Sequence, residues 1–350
     1  MNEPAILGLS TAVPSKCYEQ GEILEMLRQY MNSSEKTDAI FANAGVGSRY
    51  LVVDDSYYAA ERTTQQRNER YMEEAVPLGA LAAARCLEQA GVTAQEVSDL
   101  IVVSCTGIDT PGLDLHLAGR MGMSPGLHRT CVLGMGCYGA FPGLLRAREA
   151  ALARPGALAL VAAVEICSLH FQPGDMSIEN VVSSALFSDG AAAALVGTRP
   201  EGAQGGFPRL IDAATFCDYQ TFDHMAFHLT DHGFRMSLSA YVPRLLAAKI
   251  EEFVDGLLRR NGIERAGVRH WGVHPGSSRI LDYVEQRLAL QPGALDASRK
   301  TLFEYGNMSS ATILFVLEQL QRQNHPQPGD LGVLMSFGPG LTMEGALVEW

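Results

Sequence analysis

Short apolar runs alternate with helix-forming stretches along most of this chain, and that alternation limits its fold more than any other feature. Residues 100–104 and 158–166 are apolar and rich in β-branched side chains. Such runs read as strands buried on both faces. Helical patterns over 73–90, 113–121 and up to about Arg154 separate them, and Gly91 and Pro155-Gly156 close two of these. The order predicts an α/β fold with a mostly parallel sheet covered on both sides. With 350 residues, 47% of them hydrophobic, the chain can fill one large α/β unit or two fused ones.

Residues 197–209, GTRPEGAQGGFPR, carry no apolar period and mark the best internal boundary. They divide the chain into residues 1–200 and 201–350. The alternation then returns, with helices expected over 242–261, 277–290 and 309–323 and strands over 270–273 and 332–336. The halves end alike. Phe187-Ser188-Asp189-Gly190 leads into an apolar run, and so does Phe337-Gly338-Pro339-Gly340. That echo points to two similar halves.

The balance of 27 basic and 39 acidic residues gives a net charge of −12. It argues against nucleic acid or an anionic membrane as the main partner. A local basic patch for an anionic substrate remains compatible with it. The sequence has no apolar run of membrane-spanning length, and its first residues lack the pattern of a secretory signal. Seven cysteines, with no CxxC, read as free thiols of a cytoplasmic protein. His224, His228 and His232 have helical spacing, but Thr230, Asp231 and Gly233 argue against a helix there, and no metal site is expected.

The chemistry concentrates at three glycine-rich element ends. Cys137 lies in Leu133-Gly134-Met135-Gly136-Cys137-Tyr138-Gly139, just before a helix. A sulfur at a helix N-terminus meets backbone N–H groups that favour the thiolate. His274 ends an apolar run in Trp271-Gly272-Val273-His274-Pro275-Gly276. Asn307 sits in Glu304-Tyr305-Gly306-Asn307-Met308-Ser309-Ser310 before another helix. Each has a plain structural reading: a packing cysteine, a core histidine, a helix cap. Together they form a candidate Cys–His–Asn site at strand ends, where α/β folds place their chemistry.

With Ser104-Cys105-Thr106-Gly107, Gly136-Cys137, Leu186 to Gly190, His274-Pro275-Gly276, Tyr305 to Ser310 and Phe337 to Gly340 in this order, the chain resembles the type III, chalcone synthase-like polyketide synthases over most of its length. The resemblance implies a thiolase-like fold, αβαβα in layers with two similar halves, and a homodimer. It implies acyltransferase activity: an acyl-CoA starter loaded on Cys137, extended by repeated decarboxylative condensation with malonyl-CoA, then cyclised to a pyrone, resorcinol or phloroglucinol. The Met-Gly-Cys-Tyr-Gly-Ala context is more similar to bacterial enzymes that take long-chain acyl starters. By the same resemblance His274 pairs with the Cys137 thiolate, and His274 and Asn307 donate to the malonyl thioester oxygen. Losing one such donor typically costs about 3 kcal/mol. Phe187 is implied as a gatekeeper, with Met236 where plant relatives carry a second phenylalanine. Cys105, Leu169 and Ser309 line the cavity, and Phe337, Gly338, Pro339 and Gly340 shape its wall. Thr110 faces the partner subunit. Only Lys36 remains of a basic segment that relatives use for coenzyme A phosphates, so Arg49, Arg279 or delivery by an acyl carrier protein must supply the rest. No metal or redox cofactor is implied.

Two other readings use the same residues. A ketoacyl-carrier-protein synthase III condenses once, and the aromatic at Phe187 and the FGPG loop favour the iterative enzyme over it. A papain-like cysteine hydrolase also orders Cys, His and Asn this way, but lacks the βαβ alternation.

Overall fold

A computed structural model describes residues 4–31, 34–199, 206–239 and 241–350. The segment holding the boundary between residues 200 and 201 lies outside them. Nine strands form the main sheet: β1 (Pro4–Ala12), β2 (Asp99–Ser104), β3 (His128–Leu133), β4 (Ala159–Ile166), β5 (Asp189–Thr198), β6 (Arg209–Cys217), β7 (Val268–Val273), β8 (Leu331–Gly338) and β9 (Thr342–Glu349). Their spatial order is β7-β8-β9-β6-β1-β5-β4-β2-β3.

The order contains a repeat. Moving outward from the middle, β1-β5-β4-β2 and β6-β9-β8-β7 show the same sequence of directions. The first two pairings are antiparallel and the third is parallel in each half. Strand β3 extends the first half only, in parallel with β2. The two halves meet where Ala5 of β1 pairs with Arg209 of β6. The expectation of a mostly parallel sheet therefore fails. Apolar strands with no polar alternation occur here in antiparallel pairings too, because helices cover both faces of the sheet.

Burial shows the layers. In β5 the alanines alternate between two cores. Ala191, Ala193 and Leu195 pack on one side, with residues of α1 (Thr64–Ala90). Ala192, Ala194 and Val196 pack on the other, with α2 (Ala140–Ala153) and, in the second half, α4 (Thr312–Asn324). Strand β8 alternates likewise. Leu334 faces the central core, while Val333, Met335 and Phe337 face an outer core with Val254, Leu257 and Leu281. The result is five layers, αβαβα, with α2 and α4 as the buried middle. Each of these helices precedes the corresponding strand of its half, β4 or β8.

One helix expected from the sequence differs in the structure. The helix expected over 242–261 is broken into Val242–Ala247 and Ile250–Arg260. The segment with His224, His228 and His232 is a hairpin of Met225–Thr230 and Gly233–Leu238, so these histidines share no helical face. Helix α3 (Ile178–Leu186) leads into Phe187 and β5.

The middle layer leaves room for little more than alanine on β5. Replacing Ala192, fully buried between α2 and α4, by leucine overpacks that layer. The expected loss is about 1–3 kcal/mol, read as a lowered midpoint in urea or heat denaturation. An unchanged midpoint would contradict the layering.

Candidate active site

Cys137 occupies a tight turn, Gly136–Tyr138, that runs into α2. Gly136 is required there twice over. Its φ is +73°, and a Cβ would lie 2.5 Å from Cδ of Pro339. The Ser336 hydroxyl, at the end of β8, donates to the Cys137 carbonyl at 2.9 Å. The cysteine turn of the first half is thus braced by the strand end of the second.

His274 follows β7 and is held by its backbone N–H, which donates to the Met335 carbonyl at 2.8 Å. The residue is buried, and neither ring nitrogen has a hydrogen-bond partner among the described residues. Asn307 lies on the short approach to α4. Its N–H donates to the Leu186 carbonyl at 2.8 Å, and its carbonyl accepts from Ser188 N–H at 2.9 Å. Its side-chain oxygen accepts from Ser309 N–H at 2.9 Å and from the Thr312 hydroxyl at 3.4 Å. With Oδ1 so committed, the amide orientation is fixed and the NH2 is left to donate. The oxygen end of the amide thus braces the turn that leads into α4.

The Ser309 hydroxyl stands between two thiols. It donates to Cys137 Sγ at 3.6 Å and lies 3.1 Å from Cys105 Sγ. Burial pushes the Cys137 thiol up to about 11, against the Ser309 and Asn307 side chains and its own N–H, which favour the thiolate. Burial alone lowers His274 to about 3. Neither ring nitrogen of His274 is hydrogen-bonded to the Cys137 sulfur, and burial disfavours the charged form of each group.

A cavity enclosing about 790 Å³, counting its open mouth, begins at Ser309 and Cys105 and runs outward between α3, the hairpin and the Gln20–Leu27 helix. Phe187 lines it and meets Phe227 of the hairpin edge-on, with centroids 6.0 Å apart. Met236 lines it too, its sulfur 3.5 Å from the Ser183 hydroxyl. The far part is formed by Ile23, Met26, Leu27, Phe171 and Phe234.

Several expected cavity residues lie elsewhere. Leu169 is wholly buried in the first-half core, and its carbonyl is tied to Arg67. Phe337 is buried in the second-half outer core. Gly338, Pro339 and Gly340 back the cysteine turn and do not line the cavity. Gly338 is extended and needed for space, since a Cβ would sit 2.7 Å from the Tyr138 ring, whereas Gly340 has φ +74°. Thr110 is exposed, in a separate depression with Ile108, Pro111 and Leu133. Lys36 and Arg279 are exposed on one rim, where the Ser278 hydroxyl donates to the Asn43 carbonyl at 3.3 Å. Arg49 is internal, 2% exposed, and donates to the carbonyls of Ser184 at 2.6 Å and Phe187 at 2.8 Å. It braces the gate from inside and is out of reach of a phosphate at the rim.

Sequence profiles of the chalcone and stilbene synthases match the chain at residues 2–200 for the N-terminal domain and 212–349 for the C-terminal domain. The chain belongs to this family. It is a type III polyketide synthase, an acyltransferase. The synthase is 32% identical to a 1,3,6,8-tetrahydroxynaphthalene synthase of Streptomyces peucetius subsp. caesius, over 99% of this chain and 93% of that one. It is also 32% identical to a 3,5-dihydroxyphenylacetyl-CoA synthase of Amycolatopsis balhimycina, over 98% of this chain and 92% of the relative. Among solved structures, PKS-I from the brown alga Ectocarpus siliculosus superposes with a TM-score of 0.93 at 31% identity, covering 99% of this chain and 98% of that one. The thiolase-like fold and the family expected from the sequence motifs are both found.

Sequence reasoning missed two parts of the site in this synthase. Phe227 and Phe234 lie on the hairpin that also carries His228, His232 and Met236. Glu165, fully buried at the end of β4, contacts the segment carrying Cys105. A single acid in the otherwise apolar run Leu160 to Ile166 was the signal for it.

Ser309 makes the largest contribution that lowers the Cys137 thiol pKa. Ser309→Ala should raise that pKa and slow iodoacetamide alkylation of Cys137 at pH 8 by about tenfold, the equivalent of one hydrogen bond to a charged group. Faster alkylation would contradict the assigned direction.

Proposed function

We propose that the synthase loads an acyl starter from its coenzyme A thioester onto Cys137 and extends it by repeated decarboxylative condensation with malonyl-CoA. The observation that carries this reading is the Asn307 amide, whose oxygen is held by Ser309 N–H and the Thr312 hydroxyl and whose NH2 is left to donate beside Cys137 and Ser309.

In this reading the Cys137 proton passes to His274 as the thiol attacks the starter thioester. A neutral imidazole with unpartnered nitrogens is suited to accept it. The starter carbonyl carbon bonds to Sγ, and coenzyme A leaves as its thiol. Malonyl-CoA then loses carbon dioxide, and negative charge gathers on its thioester oxygen. His274 and Asn307 donate to that oxygen, which stabilises the enolate. The enolate carbon attacks the acyl-Cys137 carbonyl and releases the cysteine for the next cycle. Burial of the site keeps water from the enolate, and Phe187 with Phe227 closes the passage on the cavity side. The thioester bond and the loss of carbon dioxide drive the cycle, so it calls for no metal or redox cofactor.

The apolar far end of the cavity, from Ile23 to Phe234, supports an alkyl-chain starter, with release as an alkylpyrone or alkylresorcinol. Lys36 and Arg279 on the rim are placed to meet coenzyme A phosphates or the arm of an acyl carrier protein. Arg244 is a third exposed cation, on a helix that packs against the one carrying Arg279. A homodimer is supported by β3, the edge of the sheet. This strand is exposed at His128 to Cys131 and Leu133, and exposed apolar Ile108 and Leu115 lie in the adjoining depression. An unpaired edge beside apolar surface calls for a partner. Among the described residues no helix is long and apolar enough to cross a membrane. With free thiols throughout, we place the enzyme in the cytoplasm.

The test is product analysis by mass spectrometry with malonyl-CoA and acetyl-, benzoyl-, coumaroyl-, octanoyl- and palmitoyl-CoA in turn. Two or more added ketide units on an alkyl starter are expected. A single added unit, or free acid alone, would overturn the iterative reading. Cys137→Ala should abolish product. Asn307→Ala should lose malonyl decarboxylation by about 10²-fold or more, with acyl loading of Cys137 reduced far less. Equal loss of both would remove Asn307 from the proposed role.

A further inference from the structure

Three thiols stand near the proposed reaction centre. Cys105 and Cys167 line the cavity, and Cys137 lies across the Ser309 hydroxyl from Cys105. A thioester entering here meets more than one sulfur, yet iterative extension needs a single carrier. An acyl group lodged on a second thiol would be out of register with His274 and Asn307.

Glu165 holds the segment that carries one of these sulfurs, Cys105. It is fully buried on β4. Its two oxygens accept from the Cys105 N–H at 3.2 and 3.0 Å. The Thr106 hydroxyl reaches it at 2.7 Å and the Ser104 hydroxyl at 3.3 Å, and the Ser310 hydroxyl also donates to it. The hydrogen directions are constrained. Thr106 Oγ1 accepts from Ile166 N–H at 2.9 Å, so its own proton points to Glu165. Tyr71 donates to Ser104 Oγ at 2.8 Å, which leaves the serine proton for Glu165. Burial raises the Glu165 carboxyl above its ordinary value, but every contact offers a donor and none needs one, which is the pattern of an ionised carboxylate.

We propose that Glu165 confines acyl transfer to Cys137 by holding a fixed negative charge against Cys105 and Cys167. The proposal rests on Cys137 as the acyl carrier. A thiolate is the attacking species in transthioesterification, so a neighbouring anion suppresses it. For Cys105 and for Cys167 the Glu165 charge is the largest influence after burial, and both thiols stand well above the ordinary range. For Cys137 it is weaker than the Ser309 hydrogen bond, and Asn307 and the residue's own N–H oppose it. The other titratable groups that act on these sulfurs are Asp189, on Cys167, and the thiols themselves, with Tyr71 in contact through Ser104. No cation is among the strongest influences on Cys105 or Cys167. Glu165 acts through charge on thiols that must stay protonated, so it is a positioning and selectivity residue.

The test maps acyl adducts by peptide mass spectrometry after incubation with octanoyl-CoA. The wild-type enzyme should carry one adduct, on Cys137. Glu165→Gln keeps the shape and an acceptor for the Cys105 N–H. It should add a second adduct on Cys105 or Cys167 and raise iodoacetamide labelling of Cys105 at pH 8 by about tenfold, one pKa unit. Adducts confined to Cys137 with unchanged labelling would overturn the proposal. If the variant does not fold, Cys137→Ser with Glu165 intact still decides. There Cys105 should stay unacylated and label only above the free-thiol value of about 8.5, and labelling at or below that value would overturn it. Failure of wild-type Cys137 to acylate would instead defeat the function proposed above.

Discussion

The structure depends on burying two helices, α2 and α4, back to back between two halves of one sheet. A buried helix start leaves backbone N–H groups that must find acceptors inside the protein. Neither helix has a side-chain cap at its first residue. The unpaired groups fall instead on the turns that lead in. The Asn307 amide oxygen takes Ser309 N–H on one side, and Cys137 places its sulfur against its own N–H on the other. The site is where the middle layer's unmet hydrogen bonds converge. Duplicating one half-fold supplied two such starts, and packing them together made them meet.

The same burial governs the acid–base chemistry. A low-dielectric interior raises the cost of a lone thiolate and of a lone imidazolium. It also strengthens any donor aimed at a charge that appears during reaction. The site keeps a standing charge on Glu165, supplied with donors from Cys105, Thr106 and Ser310, beside the segment where a second nucleophile would form. The burial that raises the Cys137 thiol also strengthens the field of the Glu165 carboxylate beside Cys105.

The sequence made the alternation, the Cys137 turn, the His274 strand end and the Asn307 corner legible, because each depends on local chemistry: a glycine turn, an apolar run, a short polar residue before a helix. What it hid depends on distant chain segments. Apolar strands read as parallel, but burial on both faces also produced antiparallel β5 and β9. Arg49 read as a surface cation, yet the carbonyls it serves come from α3 and Phe187, more than a hundred residues on. Leu169 and Phe337 read as cavity residues because apolar side chains near a site are indistinguishable, in one dimension, from those facing its outer core. Glu165 was visible as a lone acid in an apolar strand but had no meaning until Ser104, Thr106 and Ser310 were seen around it.

The cavity is less tightly bound to this framework than the site is. Phe227, Phe234 and Met236 all come from a two-stranded hairpin outside the main sheet. A two-stranded hairpin has little stability of its own and must borrow it. Here Thr64 pairs with Asp231 and Gly233, Gln172 reaches the carbonyls of His232 and Phe234, and His170 holds the Phe234 N–H through Nδ1 while Nε2 meets the Thr106 carbonyl at 2.7 Å. That carbonyl accepts, so Nε2 carries the proton and Nδ1 is the acceptor, the neutral tautomer that burial favours by lowering His170 to about 4. This cavity wall is therefore pinned to the same Cys105–Thr106 segment that Glu165 holds. Residues on the hairpin's cavity face can therefore change the cavity's space without disturbing the layer that carries Cys137 and Asn307.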